Sequence, residues 1–171
     1  RFAGALEPHG IDQLEQPCAA DDWDANAAVA AASTVPLMLD ESVMSLDDIE
    51  RAASIPNVKF VKLKLRKFGS LHALAGAMKR IESLGMSTVL GDGTSTEIHC
   101  WMEACVARLG LRTPGQMNGF LKLRDQLFAQ PLEFDDGEIR LQANFWPEID
   151  RDLLERHTVA TMRFSERARS Q

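Results

Sequence analysis

The feature that most constrains the fold is a repeated unit made of an apolar segment, a polar loop and a helical segment. A polar residue closes each apolar segment, at Glu15, Asp40, Lys64, Asp92 and Asn118, with separations of 25, 24, 28 and 26 residues. Alternating units of this length predict a parallel sheet covered by helices. Because polar residues recur at strand ends with nearly uniform spacing, we expect an α/β fold that is part of a (β/α) barrel, whose site is built from those ends.

A doubly wound open sheet is the alternative arrangement of the same units. That fold would more usually carry a glycine-rich phosphate loop after its first strand, and the sequence contains neither G-x-G-x-x-G nor a Walker motif. Apolar runs predict strands at residues 11–15, 35–39, 86–90 and, weakly, 116–118, with a further strand beginning at Val58. Helices are predicted after Asp22, Ser45 and Ser70, which are suitable caps, and again after residue 97.

The strand that begins at Val58 carries two lysines on one face. Its faces hold Val61, Leu63 and Leu65 on one side, and Val58, Phe60, Lys62 and Lys64 on the other. An edge strand with solvated lysines is one interpretation, because lysine is a common guard of sheet edges. The other is a buried parallel strand that delivers charge to a site at its carboxyl end. Carboxylates on the two preceding strands favour this second interpretation.

Glu15, Asp40 and Lys64 close three consecutive predicted strands, so they would meet at one edge of the sheet. Two carboxylates this close repel each other unless positive charge lies between them. Oxygen ligands suit a hard divalent ion, and the pair therefore predicts a Mg²⁺ site. The competing interpretation is that these acids only cap helices, as acids at the start of loops often do.

Composition excludes several classes of protein. The net charge of −6 and the lack of a basic stripe argue against a nucleic-acid partner. No apolar run approaches the roughly 20 residues that span a bilayer, and no signal peptide is recognisable, so no membrane association is expected. Three cysteines without metal-ligand spacing indicate a reducing cytoplasm. The chain starts at Arg1 inside a predicted helix, which indicates a cut through a longer protein.

The repeat ends near residue 130. We therefore expect residues 1–130 to form the barrel portion and residues 131–171 to form a C-terminal extension. Within the extension, Asp135, Asp136 and Gly137 predict a hairpin turn, and Pro147 predicts the start of a helix that runs to about Glu155. The polar residues 163–171 are predicted to fray.

Three short motifs lie at the first three strand ends. They read Glu15-Gln16-Pro17, Leu39-Asp40-Glu41-Ser42 and Lys64-Leu65-Arg66-Lys67-Phe68-Gly69. In order and spacing they resemble signatures of the enolase superfamily, in the branch of muconate lactonizing enzyme and mandelate racemase, and the resemblance covers roughly residues 1–141. It implies the C-terminal portion of a modified TIM barrel, approximately strands four to eight.

The resemblance also implies a role for each strand end. Glu15 and Asp40 match the Mg²⁺ ligands that close the fourth and fifth strands, and Lys64 matches the acid/base lysine of the sixth. Lys62 is predicted as a second catalytic lysine, and its partner is either the substrate or a carboxylate from the missing half. Five more residues are predicted to contact a metal ligand or the substrate: Glu41, Asp92, Thr94, Glu97 and Asn118.

The implied reaction is Mg²⁺-dependent removal of a proton alpha to a carboxylate of a small substrate, through an enediolate. Such an enzyme is a lyase or isomerase: a dehydratase, racemase, epimerase or cycloisomerase.

The sequence also departs from the family pattern. A second-strand K-x-K pair and a third-strand Asp ligand would lie before Arg1, and Ser70 stands where many relatives have a glycine. The alternative is an incomplete barrel or degenerate relative, not catalytic alone. Open sheet edges then predict a homo-oligomer or association with the missing N-terminal half.

Overall fold

Four parallel strands form the central sheet of the computed structural model, which describes residues 2–162. The strands are β1 (Leu14–Glu15), β2 (Leu37–Leu39), β3 (Val58–Leu63) and β4 (Ser87–Leu90), arranged in the order β1-β2-β3-β4. The parallel α/β sheet predicted from the repeat is confirmed. Because β3 lies between β2 and β4, its interpretation as an edge strand is wrong. The strand order follows the chain without the reversal that characterises doubly wound sheets.

Helices follow the strands along the chain, and most of them begin at a residue whose side chain caps them. They are α1 (Trp23–Ala32), α2 (Leu46–Ala53), α3 (Leu65–Phe68), α4 (Leu71–Ser83), α5 (Glu97–Ala107) and α6 (Arg151–His157), with 3₁₀ turns at Ala3–Ala5 and Gly119–Lys122. Asp22, Ser45, Ser70 and Thr96 each accept the backbone N–H three residues further on, as N-caps do. Across residues 2–162, no helix is both long enough and apolar enough to cross a bilayer.

The main core lies between the sheet and its helices. Val61 and Leu63 of β3 are fully buried there, beside Ile49 of α2. Burying an aliphatic side chain of this size stabilises a fold by about 1.5–3 kcal/mol. Lys62 and Lys64 alternate with these residues and are only 6% exposed. Both faces of β3 are therefore buried at its carboxyl end, and Lys62 and Lys64 are interior groups.

The prediction of a strand at residues 116–118 is wrong, because within residues 2–162 this segment forms no strand. Pro114, which lacks an N–H, and Gly115 precede it, and both residues are poor strand formers. The Gln116 N–H still donates to the Leu90 carbonyl at 2.8 Å, so the chain runs past the end of β4. Gly91, with φ of +126°, permits this approach, since a Cβ there would lie 2.7 Å from the Met117 nitrogen.

The C-terminal hairpin is confirmed, with β5 (Phe134–Asp135) antiparallel to β6 (Glu138–Ile139). Asp136 and Gly137 form its turn with φ of 49° and 82°, the positive values of a type I′ hairpin. The last helix begins at Arg151 instead of Pro147, because Asp150 caps it by accepting the Leu153 N–H. Residues 163–171, which were predicted to fray, lie outside the described part.

A second, smaller core joins α5 to the segment that follows it. Its buried members are Cys100, Phe120, Phe128 and Leu132. Phe128 and Leu132 lie on either side of residue 130, so the predicted boundary falls inside one packed cluster. The division into residues 1–130 and 131–171 remains a proposal about chain organisation.

Candidate active site

The carboxyl ends of β1, β2 and β3 place three predicted site residues side by side. Glu15 is the last residue of β1, Asp40 follows β2, and Lys64 follows β3. Since parallel neighbours end at the same edge of a sheet, these side chains extend into one region. A small cavity of about 220 Å³ opens there, lined by Asp40, Glu41 and Lys64 together with Met44, Arg66 and Lys67.

Asp40 is the centre of this region and is 1% exposed. Its Oδ2 accepts a hydrogen bond from Lys64 Nζ at 2.5 Å, and its Oδ1 accepts one from Lys67 Nζ at 2.7 Å. Burial alone would raise the pKa of the Asp40 carboxyl, but the hydrogen bonds from Lys64 and Lys67 outweigh burial and hold that pKa below its usual value. Asp40 is therefore held as a carboxylate.

Lys67 fixes the backbone around Asp40 as well as its side chain. Its ammonium also donates to the Asp40 carbonyl at 2.6 Å and to the Lys62 carbonyl at 3.2 Å. Burial lowers the pKa of Lys67, and the hydrogen bond to Asp40 opposes that shift. Lys67 is part of the third motif, but its contacts could not be predicted from the sequence, because its three acceptors come from two different strand ends.

Lys62 links the two predicted metal ligands. Its Nζ lies 2.7 Å from Glu15 Oε1 and 3.7 Å from Asp40 Oδ2. In this structure the partner of Lys62 is thus a carboxylate of this chain, on the strand end two places away in the sheet, which corrects the expectation of a carboxylate from the missing half. One positive charge is in reach of both carboxylates at once.

Gln16 shapes the turn that carries Asp40, a contact that sequence reasoning missed. Its Oε1 accepts the backbone N–H of Asp40 at 2.9 Å and that of Ser42 at 3.3 Å. Its Nε2 donates to Ser42 Oγ at 2.8 Å. Glu41, between them, is exposed and borders the small cavity. Gln16 therefore holds the loop after β2 against the end of β1.

Glu103 of α5 joins the ends of β3 and β4 and was also missed. This side chain is completely buried, and its carboxylate accepts the N–H of Leu65 at 2.8 Å and that of Asp92 at 3.2 Å. His99 Nε2, one helical turn earlier, lies 3.1 Å from the same carboxylate. An acid among the apolar residues of a helix is the one signal in the sequence that could have indicated this contact.

Asp92 lies at the rim of the same edge. It is 7% exposed, and its Oδ2 pairs with Arg66 Nε at 2.7 Å. Its Oδ1 accepts the N–H of Thr94, whose own side chain is exposed. Asp92 and Thr94 thus lie in the loop after β4, and Asp92 contacts the segment after β3 through Arg66.

Two of the predicted residues make their contacts elsewhere. Glu97 is completely buried, and its Oε1 accepts the backbone N–H groups of Leu127 and Phe128, so its carboxylate is inaccessible to a ligand in this structure. Asn118 is exposed and lines a separate cleft of about 910 Å³ between the end of α5 and the β5–β6 hairpin. The positions of Glu97, at the start of α5, and Asn118, in the loop that follows, could not be predicted from the spacing of the strand ends alone.

Burial of Glu103 predicts a stability effect that depends on pH. Desolvation raises the pKa of the Glu103 carboxyl above its usual 4.5, and the Leu65 N–H only partly opposes this. The folded state then binds the proton more tightly than the unfolded state, so the stability contributed is complete below about pH 4.5 and is lost as pH rises through the folded pKa. We expect the unfolding free energy of the wild type to fall with rising pH relative to Glu103→Gln, as measured by urea titration.

The control for this experiment removes the neighbouring imidazole. Repeating the pair of titrations with His99→Asn in both proteins separates the carboxyl from the His99 contact. A difference between wild type and Glu103→Gln that is constant from pH 4 to pH 8 would contradict a raised pKa.

The donor set fits a hard divalent cation. Glu15 and Asp40 offer carboxylate oxygens only, which is the ligand chemistry that Mg²⁺ prefers. The Lys62 ammonium shows that both can approach one positive charge. Among residues 2–162, no three His, Cys, Asp or Glu side chains come together as a metal-binding group. The described residues thus bring together two candidate ligands for a divalent cation.

Comparison with known proteins places this arrangement in a family. Residues 1–144 match the family model described as enolase C-terminal domain-like. The chain is 28% identical to N-succinyl-L-Arg/Lys racemase of Bacillus cereus over 152 residues, covering 87% of this chain and 41% of that protein. It is 26% identical to muconate cycloisomerase 1 of Acinetobacter baylyi over 158 residues, covering 88% of this chain and 42% of that protein.

Solved structures agree with these relatives. The crystal structure of N-succinyl Arg/Lys racemase from Bacillus cereus superimposes with a TM-score of 0.81 at 28% identity, covering 91% of this chain and 42% of that one. Muconate lactonizing enzyme from Klebsiella pneumoniae gives a TM-score of 0.80 at 24% identity, covering 88% of this chain and 44% of that one, a likeness of fold. The chain spans less than half the length of each relative. It belongs to the enolase C-terminal domain-like family, within the muconate lactonizing enzyme and mandelate racemase branch of the enolase superfamily.

Proposed function

We propose that the full-length protein is an enolase-superfamily enzyme that removes a proton alpha to a carboxylate, and that this chain supplies consecutive strands of its barrel, with β1 as the fourth and β4 as the seventh. The observation that carries the proposal is the buried Lys64, placed at the end of β3 against Asp40. Buried lysines are rare unless paired, and one held at a strand end against a buried carboxylate has the position of an acid or base. The family membership supports the same class of reaction.

Lys64 is the proposed acid/base group. Its ammonium donates to Asp40 Oδ2 at 2.5 Å, so the carboxylate orients the amine towards the small cavity. Lys67 holds Asp40 from the other side, which keeps the position of the Lys64 partner fixed. Because proton transfer requires a group within hydrogen-bond reach of the substrate, this fixed geometry is what the chain contributes to the step.

Glu15 and Asp40 are the proposed ligands of Mg²⁺, and the remaining donor is proposed to come from the part of the barrel that the relatives carry beyond the matched region. When bound, Mg²⁺ supplies positive charge that stabilises the anion formed on loss of the alpha proton. Glu41, Asp92, Thr94 and Asn118 remain proposed contacts of the ligands or of the substrate. Lys62, which contacts the carboxylates of Glu15 and Asp40, remains a proposed catalytic residue.

The relatives suggest which carboxylates to test. Their names include racemases of N-succinyl-Arg/Lys, epimerases of L-Ala-D/L-amino acids and muconate cycloisomerases. We propose N-succinyl amino acids, alanyl dipeptides and cis,cis-muconate as the first panel for the full-length protein. In D₂O, NMR would show deuterium entering the alpha position of a substrate. No exchange or turnover with any member, in the presence of Mg²⁺, would count against this reaction class among these substrates.

Removing one proposed ligand should weaken metal binding. We expect Glu15→Gln in the full-length protein to bind Mg²⁺ at least about tenfold more weakly by calorimetry, because a neutral amide replaces a charged oxygen. Glu138→Gln, an exposed hairpin residue far along the chain, serves as the matched control. Equal Mg²⁺ affinity in the wild type and Glu15→Gln would show that Glu15 is not a ligand.

A second candidate is a chain that is not catalytic alone and associates with the missing half or with another copy. The position of β1 favours it, because β1 ends the described sheet and has β2 as its only neighbour there. Such an edge favours further strand pairing. Light scattering of the isolated chain tests this: a monomer with no tendency to associate would contradict it.

A reducing cytoplasm remains the proposed location of the protein. The three cysteines are free, which supports this proposal.

A further inference from the structure

The cluster at the strand ends carries more positive than negative charge. Among residues 2–162, the ammonium groups of Lys62, Lys64 and Lys67 form ion pairs with two carboxylates, those of Glu15 and Asp40, while the neighbouring Glu41 is exposed to solvent. All three lysine side chains are at most 8% exposed, so water screens their charges poorly. A divalent cation added to the same oxygens would meet an excess of positive charge.

Lys62 is the lysine that lies on the path of such a cation. Its Nζ is 2.7 Å from Glu15 Oε1 and 3.7 Å from Asp40 Oδ2, so it occupies the space between the two oxygens. Lys64 and Lys67 bond to Asp40 without reaching Glu15 within 4 Å in the described part of the chain. A metal ion that bridged Glu15 and Asp40 would need the place that this ammonium takes.

We propose that Lys62 is a built-in cation that competes with Mg²⁺ for Glu15 and Asp40, so that metal binds only as the Lys62 side chain withdraws. This inference rests on the proposed metal site. Withdrawal is feasible because the hydrogen bond of Lys62 goes to Glu15, whose side chain is 38% exposed, and the lysine stem is flexible. Lys67, by contrast, is held by three acceptors.

The test is the Mg²⁺ affinity of full-length Lys62→Met and Lys62→Gln, measured by calorimetry with MgCl₂ alone. Substitutions of groups that contact metal ligands commonly change affinity by about 10- to 100-fold. We expect both variants to bind Mg²⁺ tighter than the wild type by that factor. Lys59→Met, an exposed lysine of the same strand, is the matched control and should bind as the wild type does.

A stability measurement and one further protein, Glu15→Gln/Lys62→Gln, assign the effect to the site. Thermal unfolding without metal shows whether each variant is folded, and Lys62→Gln retains polar contacts if Lys62→Met is unstable. The gain in affinity should disappear in Glu15→Gln/Lys62→Gln. A gain that persists there, or no gain in either single variant while the wild type binds Mg²⁺, overturns the competition. Absence of Mg²⁺ binding by all of these proteins overturns the proposed metal site as well.

Discussion

Lys64→Ala should lower the turnover of the full-length enzyme by about 10²- to 10⁴-fold, the range that general acid or base groups contribute. Lys64 is the buried lysine whose ammonium is held at 2.5 Å from Asp40 at the strand ends, and alanine leaves no group that can exchange a proton there. The measurement is kcat and KM on the substrate identified from the panel. We expect the loss mainly in kcat, because the role of Lys64 is in the reaction step.

The matched control is Lys59→Ala, which removes an exposed lysine from the same strand and should retain wild-type kinetics. Asp40 keeps its bond to Lys67 in Lys64→Ala, so the variant should remain folded. Circular dichroism checks this. If folded Lys64→Ala turns over substrate at the wild-type rate, Lys64 is not the acid/base group.

Asp40→Ala should destabilise the protein by about 3–5 kcal/mol, the cost of removing one partner from a buried ion pair. Lys64 and Lys67 would lose the carboxylate to which both are bonded, and their side chains are 8% and 4% exposed. The uncompensated ammonium groups then bear the desolvation cost. Urea unfolding of the full-length protein without added metal measures the effect.

Glu41→Ala provides the comparison for this prediction, because Glu41 is the adjacent carboxylate but is exposed. Its unfolding free energy should stay within about 0.5 kcal/mol of the wild type, as for most surface substitutions. Adding Lys67→Met to Asp40→Ala should restore part of the lost stability, because it removes one of the buried ammonium groups that no longer has a carboxylate partner. Equal stabilities for Asp40→Ala and Glu41→Ala would contradict the view that Asp40 holds the cluster together.

The arrangement of Glu15, Asp40 and Lys64 could be predicted from the sequence because it depends on local order. Each residue closes an apolar segment, and parallel neighbours end at the same edge, so spacing along the chain translates directly into proximity. The capping residues Ser45 and Ser70 were predictable for a similar reason, since a cap and the backbone N–H that donates to it are three residues apart.

The contacts of Gln16, Lys67 and Glu103 could not be predicted in the same way. Each joins segments far apart in sequence: Glu103 lies 38 residues from Leu65, and Gln16 lies 24 from Asp40. Burial also decides the contacts of Glu97, whose carboxylate holds the backbone at Phe128. A pattern of residue types identifies a strand end, but it does not show which distant backbone group a carboxylate will meet.

The carboxylate of Glu103 has a mechanical consequence for the rim. It accepts hydrogen bonds from two backbone N–H groups: that of Leu65, directly after Lys64, and that of Asp92, directly after Gly91. Arg66 and Asp92 form a second tie between the same two loops. The two loops are therefore linked through the Glu103 side chain, and we expect a displacement of the loop after β4 to shift the backbone next to Lys64.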